Sequence, residues 1–150
     1  MAKDTISQGD MEKVIYKATI DMKLPSLNEY VRACRTNVHV ASKFKKDIEN
    51  EIGYFLRDLP RFEKPIKITF HWIEGNKRRD YDNICYAKKH ILDAMVKLGK
   101  LKDDNRRFVT AFTDTFSYGK ETKVLLEIEE IKEPSIEDRR DELSEKWEKI

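Results

Sequence analysis

Apolar residues recur at every second position from Val14 to Met22, where Val14, Tyr16, Ala18, Ile20 and Met22 share one face. That alternation predicts a strand. Leu24-Pro25-Ser26-Leu27-Asn28 ends it, because proline cannot continue a hydrogen-bonded ladder. Residues 1–13 carry no period and are expected to form a flexible lead. Tyr30 to His39 also lacks a clear period and reads as an exposed loop carrying Arg32, Arg35 and His39.

A spacing of three and four then takes over. Phe44, Ile48, Ile52, Phe55, Leu56 and Leu59 form a stripe that predicts a helix from Ala41 to Leu59, with Ser42 as an early cap and Pro60 as the stop. Alternation returns at Ile66, Ile68, Phe70 and Trp72, predicting a second strand over Ile66 to Ile73. Ile84, Ala87, Ile91, Leu92, Met95 and Leu98 predict one continuous helix from Asp82 to Leu98, stopped by Gly99. Phe108 to Phe116 and Lys123 to Ile131 read as two more strands, joined as a hairpin through Ser117-Tyr118-Gly119-Lys120. Ile136, Leu143, Trp147 and Ile150 would stripe a short charged helix, entered through Pro134-Ser135 and Asp138.

The order strand, helix, strand, helix, strand, strand predicts an α+β fold. It implies a mixed sheet with helices packed on it and an appended C-terminal helix. The expected organisation is a lead over 1–13, one domain over 14–132 and an amphipathic helix over 133–150. A chain of 150 residues has room for one compact domain with a core. No apolar run approaches the roughly 20 residues that span a bilayer, and Met1 to Lys13 lacks the apolar centre of a signal peptide. With Cys34 and Cys85 alone there is no disulfide framework and no cysteine pair of metal-binding type. A reduced, cytoplasmic setting without membrane partners is the expectation.

Charge sharpens the picture only locally. Charged residues make up 39% of the chain, yet the net charge is +2. From Gly75 to Arg107 there are 10 Lys/Arg against 5 Asp/Glu, a local +5, and from Glu133 to Ile150 there are 4 against 7, a local −3. The positive stretch contains the acidic positions Asp80, Asp82, Asp103 and Asp104. A site that mixes cations, which attract phosphate, with carboxylates, which attract a divalent ion, can bind an anionic polymer and hydrolyse it. The plainer alternative is a solvated helix face of mixed charge.

Asp80 and Asp82 are two apart, so in extended chain both carboxylates point one way. Asp82 also stands at the expected helix start, where free N–H groups favour a carboxylate. Asp104 joins the pair if its loop folds back. Three carboxylates drawn together repel one another unless a hard cation such as Mg²⁺ takes them as ligands. On a continuous helix Asp82, Tyr86, Lys89 and Asp93 share one face, which aims Lys89 along the side of Asp82 and turns Lys88 away by about 100°. Lys89 and Asp93, four apart, also make an ordinary helix ion pair. His39, His71 and His90 have no metal-ligand spacing. There is no Gly-rich phosphate loop and no serine nucleophile elbow.

Arg-Asp-Tyr-Asp-Asn at 79–83, Lys-Lys-His-Ile-Leu-Asp-Ala-Met at 88–95 and Leu-Lys-Asp-Asp at 101–104 together resemble the RusA family of Holliday junction resolvases, found in bacteria and often carried by prophages. Leu-Pro-Ser-Leu-Asn-Glu-Tyr at 24–30 is similar to that family's loop after the first strand. The resemblance covers roughly residues 14–130. It implies a RusA-like fold and a homodimeric, Mg²⁺-dependent endodeoxyribonuclease, with Mn²⁺ as a substitute ion. Such an enzyme cuts four-way DNA junctions by paired symmetric nicks in recombination and repair. It assigns metal binding to Asp80, Asp82 and Asp104 and the catalytic lysine to Lys89. The stretch between Asp82 and Asp93 is three residues longer than in compact members, so Tyr86 takes the i+4 position after Asp82. Arg32, Arg35, Lys77, Arg78 and Arg79 are the side chains expected on DNA. Two other readings stand beside this one: a non-catalytic junction-binding module, and a structural partner that assembles through its terminal helix.

Overall fold

Ile66, Ile68, Phe70 and Trp72 all turn to one side of a nine-residue strand, Ile66–Glu74, and are almost wholly buried. This strand organises the molecule. The computed structural model describes residues 2–8, 11–131 and 148. In chain order they form β1 (Ala2–Gln8), β2 (Met11–Ile20), α1 (Leu27–Thr36), α2 (Val38–Leu56), β3 (Ile66–Glu74), α3 (Tyr81–Cys85), α4 (Lys88–Lys97), β4 (Val109–Tyr118) and β5 (Lys123–Glu130). The class is α+β, with one mixed five-stranded sheet in the order β1-β2-β5-β3-β4. The expected C-terminal helix over 133–150 lies outside the described residues apart from Glu148.

One face of the sheet carries the core. Ala18 and Ile20 of β2, the inward residues of β3, and Val124, Leu126 and Ile128 of β5 pack with Ile48, Ile52 and Leu56 of α2 and Ile91, Ala94 and Met95 of α4. The other face is polar and half-exposed. There His71 meets the Thr115 hydroxyl at 2.6 Å and the Glu127 carboxylate at 3.5 Å. A sheet clad by helices on one side alternates in this way, and this is why its strands are legible as alternating sequence.

Four expectations are corrected. Residues 2–8, expected as a lead, pair antiparallel with β2, from Ala2 opposite Lys17 to Gln8 opposite Met11. Backbone pairing at a sheet edge needs no apolar period, so the sequence pattern is silent there. Most of the stretch Tyr30 to His39, expected as a loop, belongs to α1, which starts at Leu27 and is capped by the buried Ser26, whose hydroxyl accepts from the Glu29 N–H at 3.2 Å. The α2 helix starts three residues earlier than expected, and its cap is Asn37, whose side-chain oxygen accepts from the Val40 N–H at 2.8 Å, instead of Ser42. Ser26→Ala is expected to cost about 1 kcal/mol of stability, measured as a lower urea midpoint at unchanged slope.

The fourth correction is the hairpin. β4 and β5 are not neighbours: β4 pairs parallel with β3, and β5 pairs antiparallel with its other side. The turn between them passes over the end of β3. The Gly119 N–H donates to the Glu74 carbonyl at 3.0 Å, and the Gly75 N–H donates to the Thr122 hydroxyl at 3.0 Å. A Cβ on Gly119 would meet Ile73 Cγ2 at 2.9 Å, which explains the glycine. The turn chemistry specifies a reversal. The apolar face of β3 decides what lies between the two arms.

Candidate functional site

The site is built where β3 ends. Glu74 is the last residue of β3 and is buried. Its two carboxylate oxygens accept from Arg79, Nη2 at 2.6 Å and Nε at 3.4 Å. Arg79 Nη1 donates to the Leu24 carbonyl at 2.9 Å. This clamp folds the Gly75 to Arg79 loop back on itself and fixes where α3 begins. Arg79, expected on DNA, is thus turned inward.

Tyr81 opens α3, so Asp80 and not Asp82 stands at the N-cap position, and Asp82 lies in the first turn. Asp80 is extended, with φ −73° and ψ 157°, and its side chain makes no capping bond. Both carboxylates are exposed.

The single helix expected over 82–98 is broken into α3 and α4. At the break the Ala87 N–H donates to the Ile84 carbonyl at 3.2 Å and the Lys89 N–H to the Tyr86 carbonyl at 3.1 Å, both spanning three residues. This tightened turn lets Ile84, Ala87 and Ile91 all reach the core. Gly99, with φ 71°, stops the helix as expected.

Past the break, Lys89 reaches across to the loop after α4. Its ammonium lies 2.9 Å from Asp93 and 3.4 Å from Asp104. The hydrogen bond to Asp93, aided by the charge of Asp104 and opposed by desolvation, raises the Lys89 pKa and holds the ammonium protonated. Asp103 is spent on the loop itself, accepting from the Asp104 N–H at 2.7 Å and from Asn105 at 3.1 Å. Thus Asp104 and Lys89, 15 positions apart, are brought together. Asp80 and Asp82 are not joined to them: among the described residues no three His, Cys, Asp or Glu side chains form a group able to hold an ion.

Lys88 points elsewhere. It pairs with Asp114 of β4 at 2.7 Å, and Asp114 also accepts from Trp72 Nε1 at 2.9 Å. Sequence reading passed over Asp114; the available signal was one acid within the Phe112, Asp114, Phe116 alternation. Tyr86, at the i+4 position, packs among Tyr30 at 5.5 Å and His90 at 5.4 Å. Burial pushes its pKa up to about 12, so it stays a neutral phenol inside the helical layer. Arg32, Arg35, Lys77 and Arg78 are exposed, the first two on α1 and the others on the loop before α3.

His90 is 1% exposed, and among the described residues neither ring nitrogen has a hydrogen-bond partner. Burial holds its pKa below the usual 6.5; Lys45 and Lys89 act in the same sense and Asp93 opposes them. The folded state therefore binds fewer protons at this site than the unfolded chain. Stability from the neutral ring is complete above about pH 6.5 and is lost as pH falls below it. Thermal melts between about pH 7 and pH 5 should show Tm falling, with a shallower fall in His90→Leu.

The chain matches no protein-family model and no curated protein sequence. No helix among the described residues is long and apolar enough to cross a membrane.

Proposed function

We propose that this chain is a Mg²⁺-dependent, RusA-like endonuclease that cuts branched DNA, with a four-way junction as substrate and a homodimer as the working form. The observation that carries the reading is the meeting of Lys89 with Asp104 at 3.4 Å. These are the lysine and the third acid of the motif, and Asp93 keeps the lysine charged. Asp80 and Asp82 add two exposed carboxylates, and among the described residues neither has an internal ion pair or side-chain hydrogen bond.

The resemblance assigns the ion to Asp80, Asp82 and Asp104, whose carboxylate oxygens suit hard cations such as Mg²⁺ or Mn²⁺. Among the described residues the three do not form one group and Asp104 is paired with Lys89, so the ion would have to draw Asp104 to the other two. When bound, the ion supplies an activated water and neutralises charge on the phosphodiester. Lys89 donates hydrogen bonds to a phosphate oxygen, and Asp93 orients it. Asp104 is charge-compensated by Lys89 while no cation is present. Arg32, Arg35, Lys77 and Arg78 hold the DNA backbone, which positions the duplex arms without reading sequence. A two-fold dimer presents two identical sites to a substrate of matching symmetry, which yields paired nicks.

The test is a labelled four-way junction incubated with the protein in Mg²⁺, in Mn²⁺ and in chelator. Paired symmetric nicks that need the metal are expected. The competing reading, a non-catalytic junction-binding module, draws on the lack of a three-acid group among the described residues. It expects tight, salt-sensitive binding and no cutting in either metal.

A further inference from the structure

We propose that the outer edge of the sheet, beside Asp80 and Asp82, is a stacking platform for unpaired nucleobases of the DNA strand, centred on Tyr81. The inference rests on the DNA-cutting reading and names the part of the substrate this face takes. Tyr81 lies between the two acids in sequence, and its ring stacks on Phe116 of β4, with centroids 4.1 Å apart and planes at 14°. Even so, Tyr81 is 58% exposed. Phe116 covers one face of the ring and fixes its orientation, and the other face is open to a further planar group.

The platform extends along β4. Residues 112, 114, 116 and 118 are level with 68, 70, 72 and 74 of β3 and share their side of the sheet. On β3 those positions are buried under the helices, yet on β4 Phe112 is 46% and Tyr118 55% exposed. The helical layer thus stops short of the edge strand and leaves a row of aromatic faces uncovered. Cations sit on these rings. The exposed Lys77 has its ammonium 5.1 Å from the Tyr118 centroid. The Lys88 ammonium lies 4.7 Å from that of Phe112 but is neutralised by Asp114 at 2.7 Å, so Lys77 is the cation this row offers a phosphate.

Aromatic faces interleaved with lysines suit a polyanion that carries planar bases, since stacking and backbone attraction act together. A second copy of this edge would have to desolvate the exposed Lys77 ammonium, which disfavours a purely apolar partner. A stacking face reaches only a base that has left the duplex stack, so this row favours unpaired bases, as at a branch point, over a continuous duplex.

The experiment measures fluorescence anisotropy of a labelled four-way junction, an oligothymidylate and a plain duplex, each titrated with the full chain in chelator so that nothing is cut. Tyr81→Ala should weaken binding to the junction and the single strand by about 5- to 100-fold and leave duplex binding unchanged. Tyr81→Phe should restore both. Tyr118→Ala gives a second, independent loss should Tyr81→Ala fail to fold. If the wild type binds no junction, the DNA reading fails and the platform with it. If the junction binds and neither alanine variant changes its affinity, the platform alone is overturned. If Tyr81→Ala instead turns a dimer into a monomer in sedimentation, the edge is a protein interface and the proposal falls.

Discussion

Replacing Asp82 with asparagine should lower Mg²⁺-dependent junction cleavage by roughly 10²- to 10³-fold, the scale seen when one preorganised electrostatic group is removed from an active site. Asparagine keeps the shape and a carbonyl oxygen but gives up the negative charge that draws the cation. Junction affinity should be unchanged or slightly higher, because a negative charge is removed from beside a polyanion. Folding should be almost untouched: Asp82 is exposed and, among the described residues, has no ion pair or side-chain hydrogen bond to lose, and such surface changes stay within about 0.5 kcal/mol. The readouts are a cleavage time course, an anisotropy titration and a thermal melt on the same preparation. A further readout needs no DNA: Mg²⁺ should raise the wild-type Tm through preferential binding to the folded state, and Asp82→Asn should lose that rise. A variant that cuts at the wild-type rate would remove Asp82 from the site.

How much of this is legible in the sequence depends on the range of the interaction concerned. The β3 strand and the body of α2 are plain from periodicity, since one face of each is buried against the core. The first helix does carry a short stripe, Leu27, Tyr30, Val31 and Cys34, but it spans barely two turns, begins inside the Leu24 to Asn28 strand stop, and none of its residues is fully buried. Its signal is the cap, Ser26 followed by Glu29, which matches the capping-box pattern. The break between α3 and α4 is hidden because Ile84, Ala87 and Ile91 also fit a continuous helix. The placement of β5 between β2 and β3 is set by long-range packing, which a local turn cannot encode. The candidate site divides along the same line. The helical period brings Lys89 and Asp93 together, and Asp104 joins them because the short loop after α4 folds back. The Glu74–Arg79 and Lys88–Asp114 pairs depend on how β3 meets a loop and how α4 meets a strand. No spacing rule reaches that far, and Arg79 reads from sequence like any other basic residue beside the acidic motif.

That difference can be measured. Arg79→Ala should destabilise the fold by about 3 kcal/mol, because it strands the Glu74 carboxylate in a buried position and leaves the Leu24 carbonyl without its donor. The side chains of Arg79 and Glu74 are 14% and 7% exposed, so water cannot replace the lost partner well. Lys77→Ala and Arg78→Ala should instead leave stability within about 0.5 kcal/mol. Each should lower junction affinity and reduce the slope of log K against log salt by about one. Arg79→Lys should recover only part of the loss, since an ammonium cannot span two carboxylate oxygens and a carbonyl as the guanidinium does. Replacing both partners, Glu74→Gln with Arg79→Met, should cost less than Arg79→Ala alone, because no unpaired charge remains inside. Urea titrations across the five variants separate these outcomes. If Arg79→Ala keeps the wild-type midpoint and loses only affinity for DNA, Arg79 is a surface contact after all. In that case the clamp does not set where α3 starts, and the positions of Asp80 and Asp82 must be fixed by something else.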